Sequence, residues 1–307
     1  MHLIPLLAAL LAATTSVSAA VLPRAEPCTT PSVRKEWREL APAEKADYLR
    51  AAVCLRSLPH QKYAPYEAVV TRMDDLTFTH WALQSRIHFV ANFLPWHRWF
   101  VQLHEDLLRN ECNYTGVQPY WDWTIDADAR AVPTSPLFDA DRGSMGWPDV
   151  GEPGNRLHCL TREFNSGDGA DENGVTIVGD MQAGAFDSRV MNTIYAFEGF
   201  GDMVTMLEGL PHAQVHSIIY GDMGPATSPN EPLFFLHHAN VDRVWAKWQG
   251  RNATRLADYT GFQDTDKIYP AAITDSMPVL ELAETDLLVR DYMDTLSGPL
   301  CYTYSSM

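Results

Sequence analysis

Positive charge is scarce in this chain. Its 307 residues carry 23 Lys and Arg against 39 Asp and Glu, a net charge of −16. That shortage argues against nucleic acid or an anionic membrane as a partner. Long apolar runs are missing too. The longest, from Leu3 to Ala13, falls short of the roughly 20 residues a membrane span needs. The first twenty residues, MHLIPLLAALLAATTSVSAA, hold no Lys or Arg, so their positive end is only the amino terminus and His2. The short apolar run followed by Ser18-Ala19-Ala20 still reads as a secretory signal peptide over 1–20, with 21–27 a short N-terminal segment. Repeats, low-complexity tracts and obvious interdomain linkers are absent. One α-rich domain over 28–307 is therefore expected, and 46% hydrophobic residues supply its core.

Export implies oxidised cysteines. There are five, so one is left over from pairing. Cys28 and Cys301 lie near the mature ends, where a bridge would staple the termini. Cys54 and Cys112 each lie near the end of an expected helix. Sequence alone does not fix either connectivity. Cys159, beside His158, reads as structural or disulfide-bonded. Asn113-Tyr114-Thr115 and Asn252-Ala253-Thr254 are candidate glycosylation sequons of a secreted protein.

Helical signals recur along the chain. Ser32 is a possible cap for VRKEWREL. Pro42 precedes AEKADYLRAAVCLRSL, which has apolar residues at helical spacing. FLPWHRWFVQLHEDLLRNEC carries Pro95 near its first turn and a continuous apolar face. SRVMNTIYAF is a short helix. MVTMLEGLPHAQVHSIIY has a helix start after Pro211, and PLFFLHHANVDRVWAKWQ one after Pro232. Between 131 and 184, Gly, Pro, Asp and Asn dominate, the composition of long loops draped over a helical core. Trp96, Trp99, Trp121, Trp123, Trp245 and Trp248 read as packing around the helices.

The eleven histidines are spread unevenly, one group in 80–104 and another in 212–238. On a helix, His212 and His216 share a face about 6 Å apart along the axis, so both can reach one metal. His238 can supply a third ligand. Asp242, one turn beyond it, can orient that ligand or anchor a neighbouring segment. The adjacent His237 points to another face and reads as a packed or hydrogen-bonded core residue. In the first group, His97 and His104 lie about 10 Å apart along their helix, too far for one metal. His88 and His80 precede the helix and can approach His97 from another element. His80, His88 and His97 make a second three-histidine set. His60 and His104 have no assigned role.

Two such sets imply two metals. The helices lack E-x-x-H pairs and inward glutamates, which disfavours di-iron. The absence of a bridging carboxylate disfavours a two-zinc hydrolase. H-C-H and H-x-H motifs are missing, which disfavours a laccase-type oxidase. Six neutral imidazoles best fit a copper pair.

These motifs together resemble the tyrosinase / catechol oxidase (polyphenol oxidase) family of type-3 dicopper proteins, in its short, secreted fungal form. The matching pieces are His80, His88, then FLPWHRWF with His97, then LEGLPHAQVH with His212 and His216, then EPLFFLHHANVDRVW, whose ligand by family pattern is His238. PYWDWT (119–124) and the terminal YTY (302–304) also match, and Arg34 is the candidate partner of that tyrosine motif. The resemblance covers most of 28–304 and lacks the C-terminal shielding domain of many fungal tyrosinases. It implies a mainly α fold, with a four-helix-bundle core holding the dicopper site, long loops and few short strands. It also implies two copper ions, O₂ as co-substrate, a phenolic small-molecule substrate and a secreted monomer.

The chain departs from the family pattern at several points. Glu231-Pro232 replaces the usual Asp-Pro, a swap expected to be tolerated. Arg86 stands where many relatives have a cysteine bonded to the second ligand, so no thioether is expected. Glu208 matches the family's water-holding glutamate. Ala213 stands where strong monophenol hydroxylases often have Asn, and its side chain cannot hydrogen-bond. The reading that follows is an oxidase of o-diphenols with weak monophenol hydroxylation. The alternatives are a tyrosinase-type monooxygenase of monophenols or o-methoxyphenols, a haemocyanin-like O₂ carrier, and a zinc hydrolase or structural metal protein. A gate to the site is expected somewhere in GPATSP (224–229).

Overall fold

A computed structural model describes residues 28–139, 161–165, 169–170, 176–177 and 179–307. The expected signal peptide, the 21–27 segment, His158 and Cys159 lie outside the described residues.

Local sequence explains where the main helices start. Helix α1 (Pro42–Ser57) opens with proline, and Glu44 reaches back to accept from the Ala41 N–H at 2.8 Å. Helix α2 (Arg72–Ile87) has a reciprocal cap. The Thr71 hydroxyl accepts from the Asp74 N–H at 3.2 Å, and Asp74 accepts from the Thr71 N–H at 2.8 Å. Helix α3 (Phe93–Cys112) stops at Asn113, which turns left-handed at φ 53°. Two short helices follow, α4 (Trp123–Asp128) and α5 (Ser188–Ala196), each capped by the aspartate before it. Helix α6 (Phe200–Leu207) runs through a π-helical turn, Glu208–His212, into α7 (Ala213–Ile219). Helix α8 (Leu233–Gly250) completes the set.

Helices α2, α3, α8 and the α6–α7 run form the four-helix frame. Phe100 of α3 packs on Phe234 and Phe235 of α8, with ring centroids 6.0 and 5.7 Å apart. Trp96, Trp121, Trp123, Trp245 and Trp248 are all fully buried, as their expected packing role requires. Helix α1 lies on the outer side of α3 and is tied to it by the disulfide Cys54–Cys112.

The strands are few and short. Strand β1 (Ser32–Arg34) pairs in parallel with β6 (Tyr302–Tyr304), placing Arg34 opposite Tyr304. Between them in sequence come β2 (Gly169–Ala170) with β3 (Thr176–Ile177), and β4 (Ser276–Met277) with β5 (Leu287–Leu288). Cys28 bonds Cys301, so both cysteine pairs expected from position are present.

Two helix expectations change. VRKEWREL is not a helix: Ser32–Arg34 is strand, and only Trp37–Glu39 forms a 3₁₀ turn. Its backbone partners come from the far end of the chain, which local periodicity does not reveal. The second concerns Pro211: α7 does follow it, from Ala213, but as a continuation of α6 rather than a fresh start. Pro211 sits inside the π turn, where the wider backbone loop accommodates its missing N–H.

Candidate metal centre

Five of the six metal-facing histidines are held by their Nδ1 atoms. His80 donates to the Ala226 carbonyl at 2.7 Å, and His97 to that of Phe93 at 2.8 Å. His88 donates to Gln84 at 3.2 Å, His212 to Glu208 at 3.1 Å and His216 to Met223 at 2.7 Å. A carbonyl only accepts, so the ring proton lies on Nδ1 in all five. Three of these acceptors lie four residues back, a spacing that a helix supplies by itself. Burial pushes these rings toward the neutral form. The pKa values of His88 and His216 fall to about 4, and those of His80, His97, His212 and His238 fall well below the ordinary imidazole value.

Neutral rings with Nδ1–H spent on carbonyls must present bare lone pairs at Nε2. The Nε2 atoms of His80 and His97 are nevertheless only 3.4 Å apart, with no proton between them to share. Two ligand nitrogens about 2.0 Å from one tetrahedral ion sit about 3.3 Å apart. The ligand atoms of His80, His88 and His97 all lie within 4.8 Å of one another. A cation between them resolves the repulsion, so the residues fit a metal.

The second cluster is built similarly and gains a member. Ligand atoms of His212, His216, His237 and His238 lie within 4.8 Å of one another. The Nε2 atoms of His216 and His238 are 3.4 Å apart, and Nε2 of His212 has no hydrogen-bond partner. His237 is fully buried, stacked on His212 at 5.4 Å between centroids, and neither of its ring nitrogens is hydrogen-bonded. The His212 carbonyl faces that ring without reaching hydrogen-bond geometry. Read from sequence as turned to another face, His237 thus lies beside the cluster. The rise of one residue from His237 to His238 is small enough for both rings to border the same space. The clusters face each other, with His97 stacked on His238 at 4.4 Å and His88 over His212 at 6.0 Å. His104 stays apart, stacked on Phe235 at 3.6 Å and bonded to Gln118 at 2.9 Å.

Glu208 joins the two clusters. Its carboxylate accepts from the Phe89 N–H at 2.7 Å, next to His88, while its carbonyl holds His212. Burial raises its carboxyl pKa to about 8, a rise that the Phe89 N–H partly opposes. Metal charges nearby would lower it. A cavity of about 360 Å³ opens beside it, lined also by Phe89, Val204, Thr260, Phe262 and Lys267.

Asp242 is not hydrogen-bonded to His238, whose Nδ1 has no partner. It anchors other segments instead. It accepts from Arg98 Nε at 2.5 Å, from the Tyr302 hydroxyl at 2.6 Å and from the Tyr304 hydroxyl, and pairs with Arg34 at 3.7 Å. Arg34 lies over the Tyr302 ring, 3.6 Å from its centroid, the partnership expected of it. Glu231 is fully buried and binds Arg162 through both oxygens, at 2.8 and 2.7 Å, so the longer carboxylate finds a full partner. Segment 224–229 borders the first cluster through the Ala226 carbonyl. The four described cysteines are all disulfide-bonded, so none of these is available to bond His88. The sequon residues Asn113 and Asn252 are both exposed.

A helical frame with two facing, buried histidine clusters defines a two-metal protein. Residues 70–251 match the family model of the common central domain of tyrosinase. The tyrosinase-like protein phomQ1 of Diaporthe leptostromiformis is 34% identical over 90% of this chain and 78% of its own length. Tyrosinase ustQ of Aspergillus flavus is 32% identical over 91% of this chain and 80% of its own. A polyphenol oxidase structure from Thermothelomyces thermophila superposes with a TM-score of 0.75 at 28% identity, covering 89% of this chain and 88% of that one. The chain belongs to the tyrosinase family and is a copper oxidoreductase of that kind.

Proposed function

We propose that the chain oxidises o-diphenols to o-quinones, with weak hydroxylation of monophenols. In balance, two catechols and one O₂ give two o-quinones and two waters. His80, His88 and His97 would hold one copper; His212, His216 and His238 the second. The observation that carries the metal assignment is the bare Nε2 pair of His80 and His97, 3.4 Å apart. When bound, copper supplies the one-electron chemistry and the place where O₂ binds.

The chain's own groups do the rest. Backbone carbonyls fix the imidazole tautomer of His80, His88, His97, His212 and His216 and aim Nε2 inward. Glu208 would accept a phenolic proton through a water once nearby metal charge draws its buried carboxyl down into the ionised form. Ala213 follows His212 directly and offers no side-chain hydrogen bond to a second water-positioning contact, which favours catechols over monophenols. The cavity lined by Glu208 and by Phe89, the neighbour of His88, is large enough for a phenol, which favours catalysis over simple O₂ carriage.

Secretion fits the two disulfides, and among the described residues no helix is long and apolar enough to cross a membrane. Asn113 and Asn252 would then be open to glycosylation. The test is stepwise copper reconstitution with oxygen uptake on catechol. Uptake should appear only as copper approaches two per chain, and undiminished turnover by the apoprotein would end this reading.

A further inference from the structure

We propose that Lys267 anchors an anionic group on the substrate's tail, so that the preferred phenol carries a carboxylate or similar anion. This rests on the phenol-oxidase reading above and names the substrate class for the same site.

The cavity beside Glu208 lies between the segment that follows His88 and the loop carrying Thr260 to Lys267. Its lining joins Glu208 and Phe89, the residue after His88, to Thr260, Phe262 and Lys267. A volume of about 360 Å³ lies in the usual range for small-molecule sites and leaves room for a tail beyond the phenol ring. The loop that carries Lys267 is pinned to the metal frame. Ala91, between His88 and His97, donates to the Phe262 carbonyl at 2.9 Å. The loop closes on itself through Gln263 to Tyr269 at 2.8 Å and Ala271 to Gly261 at 2.9 Å. Lys267 itself is held left-handed at φ 58°, a conformation that non-glycine residues rarely adopt and that this closed loop imposes.

The charges in the cavity favour one reading of the lysine. Besides Glu208, the lining holds one other carboxylate, Asp264. That group is already engaged, accepting from the Ile268 N–H at 3.1 Å and the Tyr269 N–H at 2.9 Å. Lys267 is the only cation in the lining and makes no ion pair among the described residues. A chain of net charge −16 repels anions in general, so a local ammonium in the lining decides whether an anionic phenol can bind there. The aromatic part meets Phe89 and Phe262, and the tail meets Lys267.

The experiment uses the copper-loaded full chain and two catechols, 3,4-dihydroxyphenylpropionate and neutral 4-methylcatechol. The measured quantity is the ratio of their kcat/KM values. Lys267→Gln should lower that ratio about two- to fivefold, mainly through KM for the acid, and Lys267→Glu should lower it further. In the wild type, raising ionic strength from about 0.01 to about 0.15 M should lower the same ratio. A ratio untouched by both substitutions, or a loss shared equally by the two substrates, would overturn the proposal alone. A wild-type chain that oxidises neither catechol would overturn the phenol-oxidase reading and this proposal with it.

Discussion

Asp242→Asn isolates a single buried charge. Asp242 meets two guanidinium groups and two phenols, and Arg34 and Arg98 are both fully buried. Arg34 keeps a counter-charge after the substitution, because Glu105 lies 3.2 Å away. Arg98 does not. Its remaining partners are neutral: the carbonyls of Tyr292 at 3.0 Å and Met293 at 2.7 Å, and Gln249 at 3.2 Å. One buried cation is left uncompensated, at a cost of about 3–5 kcal/mol. The Tyr302 and Tyr304 hydroxyls exchange a charged acceptor for a neutral one, at a smaller cost each. For a chain this long, about 1 kcal/mol shifts the melting point by roughly 2–4 °C, so a fall on the order of 10 °C is expected. Burial should make the fall nearly independent of salt. Calorimetry of the disulfide-intact protein, with copper counted before heating, reads it. Loss of one copper with an unchanged melting point would refute the reasoning, because Asp242 would then be serving His238 rather than the C-terminal strand.

The remaining expectations concern the clusters. His238→Ala should leave about one copper per chain by elemental analysis, while His237→Ala should retain two; the reverse pattern would exchange their roles. Glu208→Gln tests the buried carboxyl in metal-free protein. A carboxyl whose pKa is raised by folding to about 8 keeps its proton in the fold after the unfolded chain has released it, so stability falls as pH rises from about 4.5 through about 8. Denaturant titrations should show wild type losing up to about 4–5 kcal/mol across that window and the glutamine variant losing much less. Parallel pH profiles of the two would refute it.

The site was legible because helix geometry is local. His212 and His216 announce themselves by i, i+4 spacing, and the prolines before α8 and near the start of α3 mark two of the four walls. What stayed hidden depends on distant partners. Strand β1 exists because Tyr302–Tyr304 lies alongside it. Asp242 sits one turn from His238, so spacing suggested a choice of roles. Only the placement of Arg34, Arg98 and Tyr302 shows that it ties the frame together. Helix α2, which carries His80, is marked in the sequence by the cap pair Thr71 and Asp74 and by a weaker apolar periodicity than its neighbours α3 and α6. Lys267 had no motif at all. Its meaning comes from a loop closed on itself and fixed to Ala91.

The most direct test is oxygen uptake by the protein loaded with two coppers, on a matched panel of a monophenol, its catechol and an o-methoxyphenol. The expected result is immediate uptake with the catechol and slow uptake, if any, with the monophenol. Reversible O₂ binding without turnover of any of the three would contradict the oxidase reading, and vigorous monophenol hydroxylation without a lag would contradict the role given to Ala213.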